Sequence, residues 1–223
     1  VSRPPVIAGD TLYVTNANDT LVAIDRVTGK LKWHQHRRPA FGIQIGGYAG
    51  PAMSHAPGFD GKIYAAFSDG IVMAYSTADG SEAWPIIDLA IETPGATEGQ
   101  PPQYFDIDTT PVLTNIKQGP AVMVASYEAG VFALDAEGGH ELWHNADVRG
   151  VSDLMLWEQP APASDRMVGG RQVKARKILI ASSGPTGLWG LDPETGAQLW
   201  RKKIPQGGMS APASIEGAVM VAT

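Results

Sequence analysis

The sequence AIDRVTGKLKW occupies residues 23–33 and contains the pattern that decides the fold of this chain. The pattern returns as AYSTADGSEAW at 74–84, as ALDAEGGHELW at 133–143 and as GLDPETGAQLW at 190–200. In every copy a small residue comes first, a glycine follows six positions later, and a tryptophan follows four positions after the glycine. The third position is Asp in three copies and Ser76 in the second.

A run of alternating or β-branched residues precedes each copy, and a shorter apolar segment lies farther upstream. The four tryptophans are 51, 59 and 57 residues apart. Periods of this length with four short strands each are typical of β-propeller blades. The sequence therefore predicts an all-β propeller with about four full four-stranded blades and a partial fifth, as part of a seven- or eight-bladed whole. Within this single propeller segment (1–223), we expect blades at about 4–34, 48–85, 108–144 and 151–201, and a partial blade at 208–223.

The residues of the repeated pattern have a structural interpretation. Asp25 can accept hydrogen bonds from the backbone amides that follow it, and Gly29 adopts a left-handed conformation at little cost. Trp33 then fills the space between neighbouring sheets. Regular repetition is what packing requires and what catalysis does not. We therefore interpret eleven residues as structural repeat anchors: Asp25, Gly29, Trp33, Gly80, Trp84, Asp135, Gly139, Trp143, Asp192, Gly196 and Trp200.

The composition restricts the possible function classes. The chain has 223 residues, of which 43% are hydrophobic and 18% are charged, and its net charge is −6. This composition is unlike that of a disordered tail, and the negative charge argues against nucleic-acid binding. The chain contains no cysteine, which excludes a disulfide scaffold, thiol catalysis and cysteine-ligated zinc within it.

The repeated pattern is similar to the tryptophan-docking repeat of the quinoprotein-like, or PQQ-like, propellers. The resemblance covers nearly the whole chain. It implies the propeller fold but leaves the function open, because enzymes, sensors and scaffolds share this repeat.

A second resemblance is confined to two segments. FDIDTTPVL at 105–113 resembles the Asp-x-Asp-Thr-Thr-Pro-Val segment of the BamB family of outer-membrane assembly factors. IQIGGYAGP at 43–51 resembles the Leu-x-Leu-Arg-Gly-x-Ser-Ala-Pro segment of that family, with Gly46 in place of the arginine. In that family both segments dock the periplasmic POTRA domains of BamA. The resemblance implies partner contacts by Ile43, Ile45, Asp106 and Asp108.

The same resemblance implies a non-catalytic scaffold in outer-membrane β-barrel protein assembly. It implies a periplasmic lipoprotein, associated with the outer membrane through a lipid anchor outside this chain and acting as a monomer within a complex. Two simpler interpretations of the four candidate residues stay open. Ile43 and Ile45 fit an ordinary edge strand, and Asp106 and Asp108 fit a pair of turn caps.

A PQQ- and Ca²⁺-dependent quinoprotein dehydrogenase is the alternative, because those enzymes share the docking repeat. They typically press an adjacent disulfide on the quinone ring, which a chain without cysteine cannot supply. Glu92, Asp106 and Asp108 would give oxygen ligands to a cation, but their spacing does not require one. We therefore expect no catalytic, cofactor-binding or metal-binding residues and no bound cofactor.

Overall fold

The structure is a computed structural model that describes residues 3–16, 18–37, 49–90, 106–159, 167–168, 171–172, 176–204, 210–215 and 217–222. Across these ranges the chain forms strands and turns, and no residue lies in an α-helix. It follows that no helix in the described part is long and apolar enough to cross a membrane.

Antiparallel sheets succeed one another along the chain. The first sheet contains β1 (Val6–Ala8), β2 (Thr11–Asn16), β3 (Thr20–Asp25) and β4 (Leu31–His36), which pair in that order. The second contains β5 (Lys62–Ala66), β6 (Ile71–Ser76) and β7 (Ile87–Asp88). The third contains β8 (Val112–Ile116), β9 (Gly119–Ser126), β10 (Gly130–Asp135) and β11 (Glu141–Asn145).

The fourth sheet pairs β12 (Val151–Gln159), β15 (Arg176–Ser183), β16 (Gly187–Leu191) and β17 (Gln198–Lys202) in that order. Two further ladders have two strands each. They pair β13 (Met167–Val168) with β14 (Arg171–Gln172), and β18 (Ala213–Ile215) with β19 (Ala218–Met220).

The second sheet differs from the four strands that the sequence predicts. Its innermost strand is reduced to one isolated bridge between Ala52 and Tyr64. Its outermost strand is short because Pro85 directly follows Trp84 and has no N–H to donate to the ladder. Pairing with β6 resumes only at Ile87.

A separate apolar core lies between each sheet and the next. Tyr13, Leu21 and Trp33 of the first sheet are buried with Ile63 and Met73 of the second. A second core joins the second and third sheets, and a third core joins the third and fourth. Consecutive sheets that pack face to face around successive cores form the blade arrangement of a β-propeller.

The tryptophans of the repeat connect neighbouring sheets. The ideal Cβ position at the glycine of the next turn lies within 3.0 Å of a tryptophan ring in three pairs: Trp33 with Gly80, Trp84 with Gly139, and Trp143 with Gly196. These three tryptophans are 9%, 2% and 8% exposed. The sequence predicts the same burial for all four, but Trp200 is only half-buried. It belongs to a cluster with Val219 of the last ladder and with Val221, which follows that ladder.

In the three copies that contain it, the aspartate of the pattern caps its turn as the sequence predicts. The Oδ1 of Asp25 accepts hydrogen bonds from the amides of Val27 and Thr28 at 3.1 and 2.7 Å. In the second copy, where Ser76 replaces the aspartate, Asp79 instead accepts from the amide and hydroxyl of Ser81. The turn therefore keeps a carboxylate cap although the position of the carboxylate has moved.

Candidate functional site

The segment from Asp106 to Thr110 leads into β8, and alternate residues fix it to the core. Ile107 is fully buried, and its amide donates to the carbonyl of Phe67 at 3.4 Å. Thr109 is also fully buried, and its Oγ1 accepts from the amide of Ala125 at 3.0 Å. Because side chains alternate along an extended chain, Asp106 and Asp108 share the other side of the segment.

Arg3 connects this segment to two other parts of the structure. Its Nη2 donates to the carbonyl of Asp108 at 3.1 Å and to the carbonyl of Ser152 at 3.0 Å, and its Nη1 pairs with the carboxylate of Asp153. The Arg3 side chain also passes Gly50, where a Cβ atom would lie 2.9 Å from the Cβ of Arg3. The segment before β8 and the beginning of β12 therefore meet at one guanidinium group, and the chain at Gly50 lies beside the aliphatic part of the same side chain.

The two aspartates of the candidate site are half-buried. The Oδ1 atom of Asp108 is fully buried and has no hydrogen-bond partner among the described residues. The pKa of Asp108 is raised to about 7. Burial is the largest cause, the neighbouring Asp106 carboxyl group also raises this pKa, and Arg3 lowers it. An oxygen without a donor caps no backbone amide, so this atom does not act as a turn cap.

Tyr127 is joined to Asp106 through the backbone. It lies in the turn between β9 and β10, and its amide donates to the carbonyl of Asp106 at 3.1 Å. Its side chain is 39% exposed. Tyrosine combines a large contact area with a polar tip, which is why it is common at protein interfaces. We call Asp106, Asp108 and Tyr127 the docking surface.

The other two predicted partner contacts, Ile43 and Ile45, lie outside the described residues, as does Glu92, the third oxygen ligand of the alternative enzyme. Among the described residues, no group of three or more His, Asp or Glu side chains is arranged to hold a metal ion.

Sequence reasoning missed two residues of the site. Arg3 acts across more than 100 positions of sequence, so no local pattern indicates its partners. The sequence gives only a weak indication of Tyr127 as a site residue. Small and polar residues prevail in short hairpin turns, so a large aromatic residue there is unusual.

The family is decided by a comparison with sequence profiles. The profile described as "Outer membrane protein assembly factor BamB" matches residues 1–159 and 152–223. The chain belongs to the BamB family. A sequence comparison with curated proteins gives no significant match.

Solved structures also resemble this BamB-family chain. A quinohemoprotein alcohol dehydrogenase, ADHIIG from Pseudomonas putida HK5, is 18% identical with a TM-score of 0.58, over 92% of this chain and 34% of its own. A europium-containing methanol dehydrogenase is 15% identical with a TM-score of 0.57, over 91% and 41%. BamB from Moraxella catarrhalis is 18% identical with a TM-score of 0.49, over 98% and 71%. At these identities the two dehydrogenases show that the chain shares their fold, and the chain spans about a third of the first of them.

Proposed function

We propose that this chain is a non-catalytic scaffold in outer-membrane β-barrel protein assembly and that it binds a POTRA domain of a BamA-like partner. The match of the BamB profile along the whole chain carries this proposal. The geometry of the Asp-x-Asp-Thr-Thr segment supports it, since Ile107 and Thr109 are buried while Asp106 and Asp108 lie on the other side.

The docking surface has the composition of a small protein interface. Two carboxylates provide a charged rim for a Lys or Arg of the partner, and Tyr127 provides a partly exposed aromatic contact. The sequence adds Ile43 and Ile45 as the apolar anchor that fills a pocket of the partner. Gly46 stands where the family has arginine, so an acidic contact on the partner has no counterpart at this position.

The proposed function places the protein in the periplasm. A lipid anchor outside this chain holds it at the outer membrane, and it acts there as one subunit of a complex. The proposal involves no cofactor. The dehydrogenase likenesses concern the fold, because at 18% and 15% identity they carry no information about activity.

Binding tests the proposal directly. Calorimetric titration of the full-length protein with the POTRA domains of the same organism is expected to give saturable binding. If the intact protein shows no binding, the proposed function is wrong.

A spectroscopic measurement separates the scaffold from the dehydrogenase. The purified full-length protein is expected to carry no quinone absorbance and to reduce no dye in the presence of Ca²⁺. Stoichiometric quinone in the purified protein would establish the enzyme instead.

A further inference from the structure

The segment from Asp147 to Gly150 leads into β12, as the segment from Asp106 to Thr110 leads into β8. Both segments contact the turn between β9 and β10. The amide of Tyr127 in this turn donates to the carbonyl of Asp106 at 3.1 Å, and the carbonyl of Tyr127 accepts from the amide of Gly150 at 2.7 Å. The docking surface and the segment before β12 are therefore neighbours at the same end of the sheets.

The fourth sheet fixes the backbone of Arg149. The carbonyl of Arg149 accepts hydrogen bonds from Ser183 Oγ at 2.6 Å and from Thr186 Oγ1 at 3.4 Å. Gly150, which follows it, has a φ of 66°, and a Cβ atom there would clash with the ring of Pro185. A backbone that is already held in this way has little conformational freedom to lose when a partner binds, which favours affinity.

The charge of Arg149 has no ion-pair partner among the described residues. Arg149 is exposed, and its Nε donates to the carbonyl of Ala146 in its own turn at 3.0 Å. By contrast, Arg3, Arg26 and Arg37 each pair with an aspartate carboxylate. The positive charge of Arg149 is therefore available to an acidic group of a partner.

We propose that the docking surface continues across Tyr127 to Arg149, and that this arginine binds an acidic residue of the partner while Asp106 binds a basic one. Tyr127 lies between the two charges along the backbone, because its amide contacts one segment and its carbonyl contacts the other. The surface fits a partner that carries the same two charges in reverse order. It admits that partner in one orientation, because the opposite orientation brings like charges together. This inference rests on the proposed function, which supplies the POTRA domain as the partner.

Charge reversal at Arg149 tests the inference. In titrations of the full-length protein with the POTRA domains at about 0.1 M salt, Arg149→Glu is expected to bind roughly tenfold more weakly than the wild type, since an attraction becomes a repulsion. Arg149→Lys keeps the charge and is expected to retain most of the affinity. Arg26→Glu makes the same charge change in the exposed turn between β3 and β4, at the other end of the sheets, and is expected to bind like the wild type.

Salt separates a charge contact from a structural effect. At about 1 M salt the screening length is only about 3 Å, so the affinities of the wild type and Arg149→Glu are expected to converge. A structural effect, such as loss of the bond to the Ala146 carbonyl, would persist at high salt. Urea unfolding of both variants establishes that each is folded.

The two possible failures are distinguishable. Equal affinity of the wild type and Arg149→Glu at about 0.1 M salt, or a loss that persists at about 1 M salt, would overturn the part assigned to Arg149 and leave the proposed function standing. No binding by the wild type would overturn the proposed function, and this inference with it.

Discussion

Trp33 packs against Gly80 so closely that a Cβ atom at Gly80 would lie 2.7 Å from the indole ring. Gly29, at the same place in the turn of the first sheet, has no heavy atom within 4 Å of the equivalent position. Both glycines are left-handed, with φ values of 77° and 70°. Both positions therefore require a left-handed backbone, but of the two only Gly80 contacts a tryptophan ring.

The variant Gly80→Ala is expected to be less stable than Gly29→Ala. Both substitutions place a side chain in the left-handed region, which costs roughly 1–2 kcal/mol. Gly80→Ala also forces a methyl group into the Trp33 ring, and overpacking of this kind adds typically 1–3 kcal/mol. Urea unfolding of the two variants measures the difference. Equal losses of unfolding free energy would mean that the contact between Trp33 and Gly80 has no energetic weight.

The pair of Arg3 and Asp153 is expected to contribute more to stability than an exposed ion pair. Arg3→Met removes the cation beside the carboxylate of Asp153, whose side chain is 10% exposed. The expected loss lies between the less than about 1 kcal/mol of surface pairs and the roughly 3–5 kcal/mol of fully buried pairs. The exposed pair of Arg26 and Asp10, whose Nε and Oδ1 are 3.9 Å apart, provides the control.

The corresponding variant Arg26→Met is expected to cost less than about 1 kcal/mol in urea unfolding. If Arg3→Met costs no more than Arg26→Met, the guanidinium group of Arg3 does not hold the sheets together as the contacts indicate.

The repeated pattern predicts the fold because each of its residues acts locally or on the next repeat. The Asp25 cap, the Gly29 turn and the placement of Trp33 depend on spacing within eleven residues. Within each sheet, strands that follow one another along the chain pair in antiparallel order, as short strands joined by tight turns do. The interruption at Pro85 could also be anticipated, since proline donates no backbone hydrogen bond.

The site could be predicted only in part. The segment containing Asp106 and Asp108 carries a family motif, and its alternation with Ile107 fixes which side chains share a side. The burial of the Asp108 Oδ1 depends on tertiary packing, which no local pattern contains. The same holds for Arg3, whose contacts with Asp108 and Ser152 span 105 and 149 positions.

Stability is expected to depend on pH through Asp108. The pKa of this group is about 7 in the folded chain and about 3.9 in an unfolded one, so the folded state binds more protons between these values. The stabilising contribution of this group is therefore fully present below about pH 4 and is lost as the pH rises through 7. Melting temperatures from pH 5 to 8 should fall more in the wild type than in Asp108→Asn. Parallel curves for the two proteins would contradict this assignment.

The claim that the docking surface binds the partner is tested most directly by reversing the charge of Asp106 alone. Asp108 is left unchanged because its buried oxygen would couple a reversal to folding. In calorimetric titration of the full-length protein with the POTRA domains, Asp106→Arg is expected to lose about 30-fold or more in affinity, corresponding to about 2 kcal/mol. Asp60→Arg, with the same charge change at an exposed turn before β5, is expected to bind like the wild type. Wild-type affinity in a folded Asp106→Arg protein would contradict the proposed docking surface.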